Sequence, residues 1–323
     1  MEAIKVQQNT KTFHTNSPFI LESGNVLEDL TIRYTTYGQL NKTKTNVVWV
    51  FHALTANSDP VEWWPGVVGE GEVINPDEHF IVCANMLGSC YGTTGPKNSK
   101  FPLVTITDMV DAHKLLKKHL GISKIHLGIG GSMGGQQLLE WAVQEPELFE
   151  KIVPLATNAF HSPWGIAFNE AQRMALENID PSKGLETARA IAMLSYRNYK
   201  TYGKSQKDVD QRWDHFSASS YQRYQGEKLR KRFTLESYYI LSKAMDSHHL
   251  GRNFGSAEAA LKRIKSEALV IGIDSDILFP LHEQKFIADH IENSRLVTFD
   301  SDYGHDGFLI EAKQLSELLK NFL

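Results

Sequence analysis

The chain has 323 residues, with 34 lysines and arginines against 38 aspartates and glutamates, a formal net charge of −4. A slightly acidic chain with no basic excess argues against a nucleic-acid partner, and no run approaches the roughly 18 apolar residues of a membrane span. Its 41% hydrophobic content can bury a large core, as one domain with an elaborate insertion or as two domains.

Residues Met1–Gln8 carry no apolar signal core. Of the two cysteines, Cys83 lies in an apolar run and reads as a core residue, and Cys90 lies in a loop. Nothing else points to an oxidising compartment, so the expectation is a cytoplasmic protein with unpaired thiols. Up to about residue 45 the chain reads as antiparallel strands with turns; Leu30–Tyr37 alternates and is rich in β-branched and aromatic residues. The pattern then changes. Continuous apolar runs at 46–51, 79–83, 124–129, 151–155, 268–273 and 295–299 predict strands buried on both faces. Helical patterns at 108–120, 135–144, 281–291 and 306–322 separate several of them or close the chain. This alternation predicts an α/β fold with a mostly parallel sheet flanked by helices.

Between 163 and 265 strand signals stop and helical patterns take over, at 188–194 and 209–224 among others. The predicted organisation is a catalytic core of residues 1–162 and 266–323 with a helical lid, 163–265, inserted over the carboxyl edge of the sheet.

Gly130-Gly131-Ser132-Met133-Gly134 reads G-x-S-x-G between a predicted strand and a predicted helix, the context of a nucleophile elbow. A serine hydroxyl needs a base to take its proton, and the base needs an orienting carboxylate. On this architecture the order is serine, acid, histidine. Asp274 and Asp276 follow the strand ending at Ile273, and Asp276, beside an apolar segment, is the favoured acid. His305 follows the last strand and is the expected base among 13 histidines. The amides of Met133 and of Leu54, in the loop after Phe51, are the expected oxyanion donors. His248-His249 lacks acidic or cysteine partners at ligand spacing, so no metal is expected. The glycine-rich stretches 66–71 and 88–96 lack the lysine and hydroxyl of a phosphate loop. Lys228–Arg232 is the densest basic stretch. It reads first as a solvated helix face and second as a patch for phosphorylated cosubstrates.

The chain resembles the homoserine O-acetyltransferases of methionine biosynthesis over most of its length. The resemblance is carried by His52-Ala53-Leu54-Thr55, 83–90, Thr94-Gly95-Pro96, 131–137, 168–173, 224–228, 243–246, 274–280 and 304–309. It implies an α/β-hydrolase core, a lid that forms a homodimer interface, and no permanent cofactor. It implies transfer of an acetyl group from acetyl-CoA to homoserine through acyl-Ser132. Asp276 and His305 take the acid and base roles. Arg189 and Tyr196, seven residues apart in a lid helix, bind substrate with Thr55. Asp306 holds the amino group, and Arg173 and Arg197 are the next candidates after Arg189. Only Lys97–Lys100 separates Pro96 from Phe101, a shorter loop than in relatives, which leaves succinyl against acetyl as donor open. The acceptor is open as well, between homoserine, serine, and water in an esterase or thioesterase.

Overall fold

The computed structural model describes residues 9–178 and 180–323; Met1–Gln8, read above for the lack of a signal core, lie outside the described residues. Strands β1 (Asn9–Thr15) and β4 (Leu30–Tyr37) form an antiparallel edge, joined through the small hairpin of β2 (Phe19–Ile20) and β3 (Val26–Leu27). The buried strands follow as β5 (Val47–Phe51), β6 (Phe80–Ala84), β7 (Ile125–Gly131), β8 (Phe149–Leu155), β9 (Glu267–Ile273) and β10 (Ser294–Phe299). The sheet order is β1-β4-β6-β5-β7-β8-β9-β10, and pairing is parallel from β6 to β10. Residues such as Val47–Phe51 are buried without alternation because helices cover both faces.

The first helices are α1 (Pro60–Trp63), α2 (Ile106–His119) and α3 (Met133–Gln144). Helix α2 begins two residues before the predicted start because Thr105 and Asp108 form a reciprocal capping box. Between β8 and β9 lie α4 (Pro163–Asn178), α5 (Pro181–Tyr196), α6 (Tyr199–Ser205), α7 (Ser217–Arg230), α8 (Leu235–Asp246) and α9 (Ala257–Leu261). The predicted helix over 209–224 starts only at Ser217. The Asp208 carboxylate accepts the Ser217 amide (3.1 Å) and hydroxyl (2.6 Å), and His215 stands at φ 57°. By Leu250 the chain is back on the core, with its amide on the Ala159 carbonyl at 2.9 Å.

The chain closes with α10 (Leu281–His290), α11 (Gly307–Ile310) and α12 (Ala312–Lys320). The predicted single helix over 306–322 is split. A 3-10 turn, Gly304–Asp306, precedes α11, and Glu311 (φ −85°, ψ 47°) breaks the path to α12. Two contacts hold the break: Ser301 Oγ–H donates to Glu311 Oε1 (2.9 Å), and Trp64 Nε1–H donates to the Phe308 carbonyl (2.8 Å). Under the elbow, Trp49 and Trp141 pack edge-to-face at 5.1 Å in the larger core, next to Phe51 and Phe149. The smaller core on the other face gathers Val48, Val50, Ile129 and Phe308. Both cysteines are free.

Candidate active site

Ser132 sits at the end of β7, one residue before α3, with φ 57° and ψ −128°. A non-glycine residue held there stores strain, and the surroundings must over-determine it. They do. The Ser132 amide donates to the Leu155 carbonyl (3.0 Å), and its carbonyl accepts from Thr157 Oγ1 (2.8 Å) and the Gly135 amide (2.9 Å). The neighbouring glycines leave no room for a side chain. A Cβ on Gly134 would lie 2.2 Å from the Phe51 carbonyl oxygen, and one on Gly130 would lie 2.6 Å from that of Gly134.

His305 lies in the 3-10 turn after β10 and Asp276 in the turn after β9, so adjacent parallel strands deliver both to one sheet edge. His305 Nδ1 is 2.7 Å from Asp276 Oδ2, and both side chains are buried. The other oxygen, Oδ1, accepts the Leu278 (2.8 Å) and Phe279 (3.0 Å) amides. The carboxylate is therefore held in place, and its bond to Nδ1–H leaves Nε2 as the free acceptor. The imidazole stacks on Phe279 (5.0 Å) and meets Phe308 edge-on (5.4 Å). Asp274 is exposed and does not take this position.

Ser132 and His305 line one cavity of about 340 Å³, together with Leu54, Thr55, Arg189, Tyr196 and Asp306. Among the described residues, neither the Leu54 nor the Met133 amide donates to another group of the chain. Arg189 lies over the Tyr196 ring at 5.2 Å, as two turns of α5 dictate. Burial pushes the Tyr196 phenol above its ordinary pKa, so it stays a neutral donor. Asp306 is not alone: Arg197 Nε lies 3.0 Å from its Oδ2. The N–H does not point along that line, so the contact is an ion pair rather than a directed hydrogen bond. Arg173 is buried in a structural ion pair with Asp246 (2.5 Å) and Glu170 (2.6 Å), away from the cavity.

One expectation is narrowed. The basic stretch 228–232 is only partly a solvated face. Arg230 pairs with Glu186 and Lys231 with Glu227, but Arg232 reaches the Thr55 carbonyl and the Tyr91 hydroxyl (2.8 Å). Lys228 and Arg232 both line the cavity mouth. The short loop Lys97–Lys100 does not contribute to the cavity lining. His248 is buried with Nε2 3.2 Å from the Asn158 carbonyl, and His249 accepts the Gly251 amide (3.0 Å); both are structural. No group of three or more potential metal ligands occurs among the described residues.

Sequence reasoning gave no role to a polar chain behind the elbow. Gln136 donates to Asn158 (2.9 Å), and Asn158 donates to Glu283 (3.0 Å). Burial, aided by the nearby Asp276 charge, pushes the Glu283 carboxyl up to about 7. Nor does the sequence assign a role to His52, though its motif helps carry the resemblance. It is buried between the exits of β5 and β6. The only available signal was the histidine directly after a buried strand.

An alpha/beta hydrolase fold family model matches residues 46–312. The chain is 46% identical over 338 residues to the homoserine O-acetyltransferase of Cyclobacterium marinum, covering 99% of this chain and 96% of that one. The crystal structure of homoserine O-acetyltransferase from Staphylococcus aureus superposes with a TM-score of 0.86 at 28% identity, over 98% of this chain and 95% of that one. Esterase E22, at 20% identity, shares the fold with a TM-score of 0.89 over 98% of this chain and 100% of that one. No helix among the described residues is long and apolar enough to cross a membrane. With its elbow serine, its buried histidine–aspartate pair and its near full-length match, the chain belongs to the homoserine O-acetyltransferase family of acyltransferases, on the α/β-hydrolase fold.

Proposed function

We propose that this chain transfers the acetyl group of acetyl-CoA to the hydroxyl of L-homoserine, a step of methionine biosynthesis, by a ping-pong route through acyl-Ser132. One observation carries the reading. The cavity holding Ser132 and His305 also holds a guanidinium, Arg189, and a carboxylate, Asp306. An esterase acting with water has no use for paired opposite charges at the acceptor side, whereas an amino acid presents a carboxylate and an ammonium together.

In the first half-reaction His305 Nε2 takes the Ser132 proton as Oγ attacks the thioester carbon. The Leu54 and Met133 amides receive the oxyanion. The C–S bond then breaks, and the leaving thiolate takes the proton from His305. In the second half-reaction Arg189 clamps the homoserine carboxylate, helped by Tyr196, and Asp306 takes the ammonium beside Arg197. Thr55 borders this pocket. His305 then removes the hydroxyl proton, the new ester C–O bond forms, and the Ser132 ester breaks as His305 returns the proton to the departing Ser132 Oγ. Asp276 fixes the tautomer throughout. Lys228 and Arg232 at the mouth suit a polyanionic donor.

Residues 163–265 act as the lid over a core formed by 1–162 and 266–323. Apolar side chains exposed between β8 and β9, among them Trp164, Met174 and Leu194, fit a homodimer interface there. Free thiols fit a cytoplasmic setting. The test mixes the protein with acetyl-CoA or succinyl-CoA and with homoserine or serine. Intact mass should show acetyl-Ser132 first and O-acetylhomoserine next; thioester hydrolysis at full rate without an amino acid would overturn the reading.

A further inference from the structure

We propose that His52 is the positioning residue of the oxyanion hole: by gripping the Ala53 carbonyl it aims the Leu54 amide at the acyl group. This rests on the acyl-transfer reading above. His52 is buried, with Nδ1 2.9 Å from the Ala53 carbonyl oxygen and Nε2 3.1 Å from the Met86 amide. The Met86 amide can only donate, so Nε2 must accept. Nδ1 then carries the hydrogen and donates to Ala53, and one tautomer satisfies both contacts. Burial lowers the His52 pKa to about 4, which keeps the ring neutral at ordinary pH. The Ala56 amide donates to the same carbonyl at 3.0 Å.

A trans peptide is planar, and its C=O and N–H point in opposite directions. With the Ala53 oxygen fixed on the protein side, the Leu54 N–H of the same peptide must face the other way. Leu54 lines the cavity with Ser132. Met133 needs no such device, because its amide is the first of α3 and the helix sets its direction. The Leu54 amide lies in a loop, where a peptide can rotate unless its carbonyl is held. His52 supplies that hold together with the Ala56 amide, and Met86 anchors the ring to the exit of the neighbouring strand β6.

Three variants separate positioning from packing. His52→Asn keeps a donor near Nδ1 and loses the acceptor for Met86. His52→Gln reaches the Nε2 position and loses the donor to Ala53. His52→Phe keeps the ring and loses both. Stopped-flow acylation of Ser132 is measured with p-nitrophenyl acetate and with its thionoacetate analogue, whose sulfur fits an oxyanion hole poorly. We expect His52→Asn to acylate within tenfold of wild type. His52→Gln and His52→Phe should lose roughly 10²–10³-fold, the cost of one oxyanion donor. Their preference for oxygen over sulfur should shrink in parallel, with the KM for homoserine unchanged. Equal losses in the Asn and Gln variants, or a loss with unchanged preference, overturn the proposal. The Asn and Gln variants decide the matter even if His52→Phe does not fold. A wild type that forms no Ser132 adduct overturns the parent reading instead.

Discussion

Around Ser132 the polar atoms are held by short backbone contacts, whereas around Arg189 they sit at the ends of long side chains. The Asp276 carboxylate accepts two amides and one imidazole, and the Ser132 carbonyl accepts three donors. On the acceptor side, Arg189 rests on the face of Tyr196, and Arg197 shares a carboxylate without pointing at it. Backbone contacts cannot drift without unfolding a strand or helix end. Guanidinium groups can swing by ångströms at little cost. The first kind of construction suits a bond-making geometry shared by all substrates, and the second suits recognition of one particular acceptor.

Substitutions can break this contrast. Ser132→Ala should cost about 10⁶-fold in kcat and abolish the acetyl adduct by intact mass. Residual turnover near wild type would remove the nucleophile from this side of the cavity altogether. Asp276→Asn should leave the fold intact but lower kcat by about 10⁴-fold, since the amide stabilises the wrong imidazole tautomer. Both half-reactions should slow together, measured by single-turnover acylation and deacylation.

Arg189→Met sharpens the comparison from the other side. Acylation by acetyl-CoA should be unchanged, while kcat/KM for homoserine falls roughly 10–100-fold, the value of one charge-assisted contact. An equal fall in acylation would show that the two sides are not separable. The smallest effect is expected at Glu283. An unfolded chain releases this proton near 4.5, and the folded chain holds it to about 7. The folded state thus binds more protons in that window, so stability falls as pH rises from about 4.5 to about 7. Glu283→Gln keeps the acceptor for Asn158 and removes the ionisation. Thermal melting should show a variant that gains on wild type through this window, by on the order of 1 kcal/mol after solvent screening.

The elbow, the places of Asp276 and His305 after neighbouring strands, and all six parallel strands were legible because each is written locally. Continuous apolar runs mark buried strands, and glycines mark a turn that tolerates no Cβ. Asp276 could be preferred to Asp274 from its apolar neighbours. What stayed hidden depends on contacts between distant segments. Nothing local shows that Arg197 faces Asp306, or that Asn158 links Gln136 to Glu283. Arg232 crosses to a loop 177 residues away, which turns an expected surface charge into part of the cavity. The helix start at Ser217 escapes a local reading because a single carboxylate, Asp208, caps it from nine residues upstream.

His305 and Asp306 are consecutive residues of one 3-10 turn. In the proposed reaction one handles the acceptor's hydroxyl and the other its ammonium. Their Cα atoms stand one peptide unit apart, so no rearrangement of residues 163–265 can part the two backbones. The proposed base and the proposed partner of the ammonium therefore travel together as one piece of the chain.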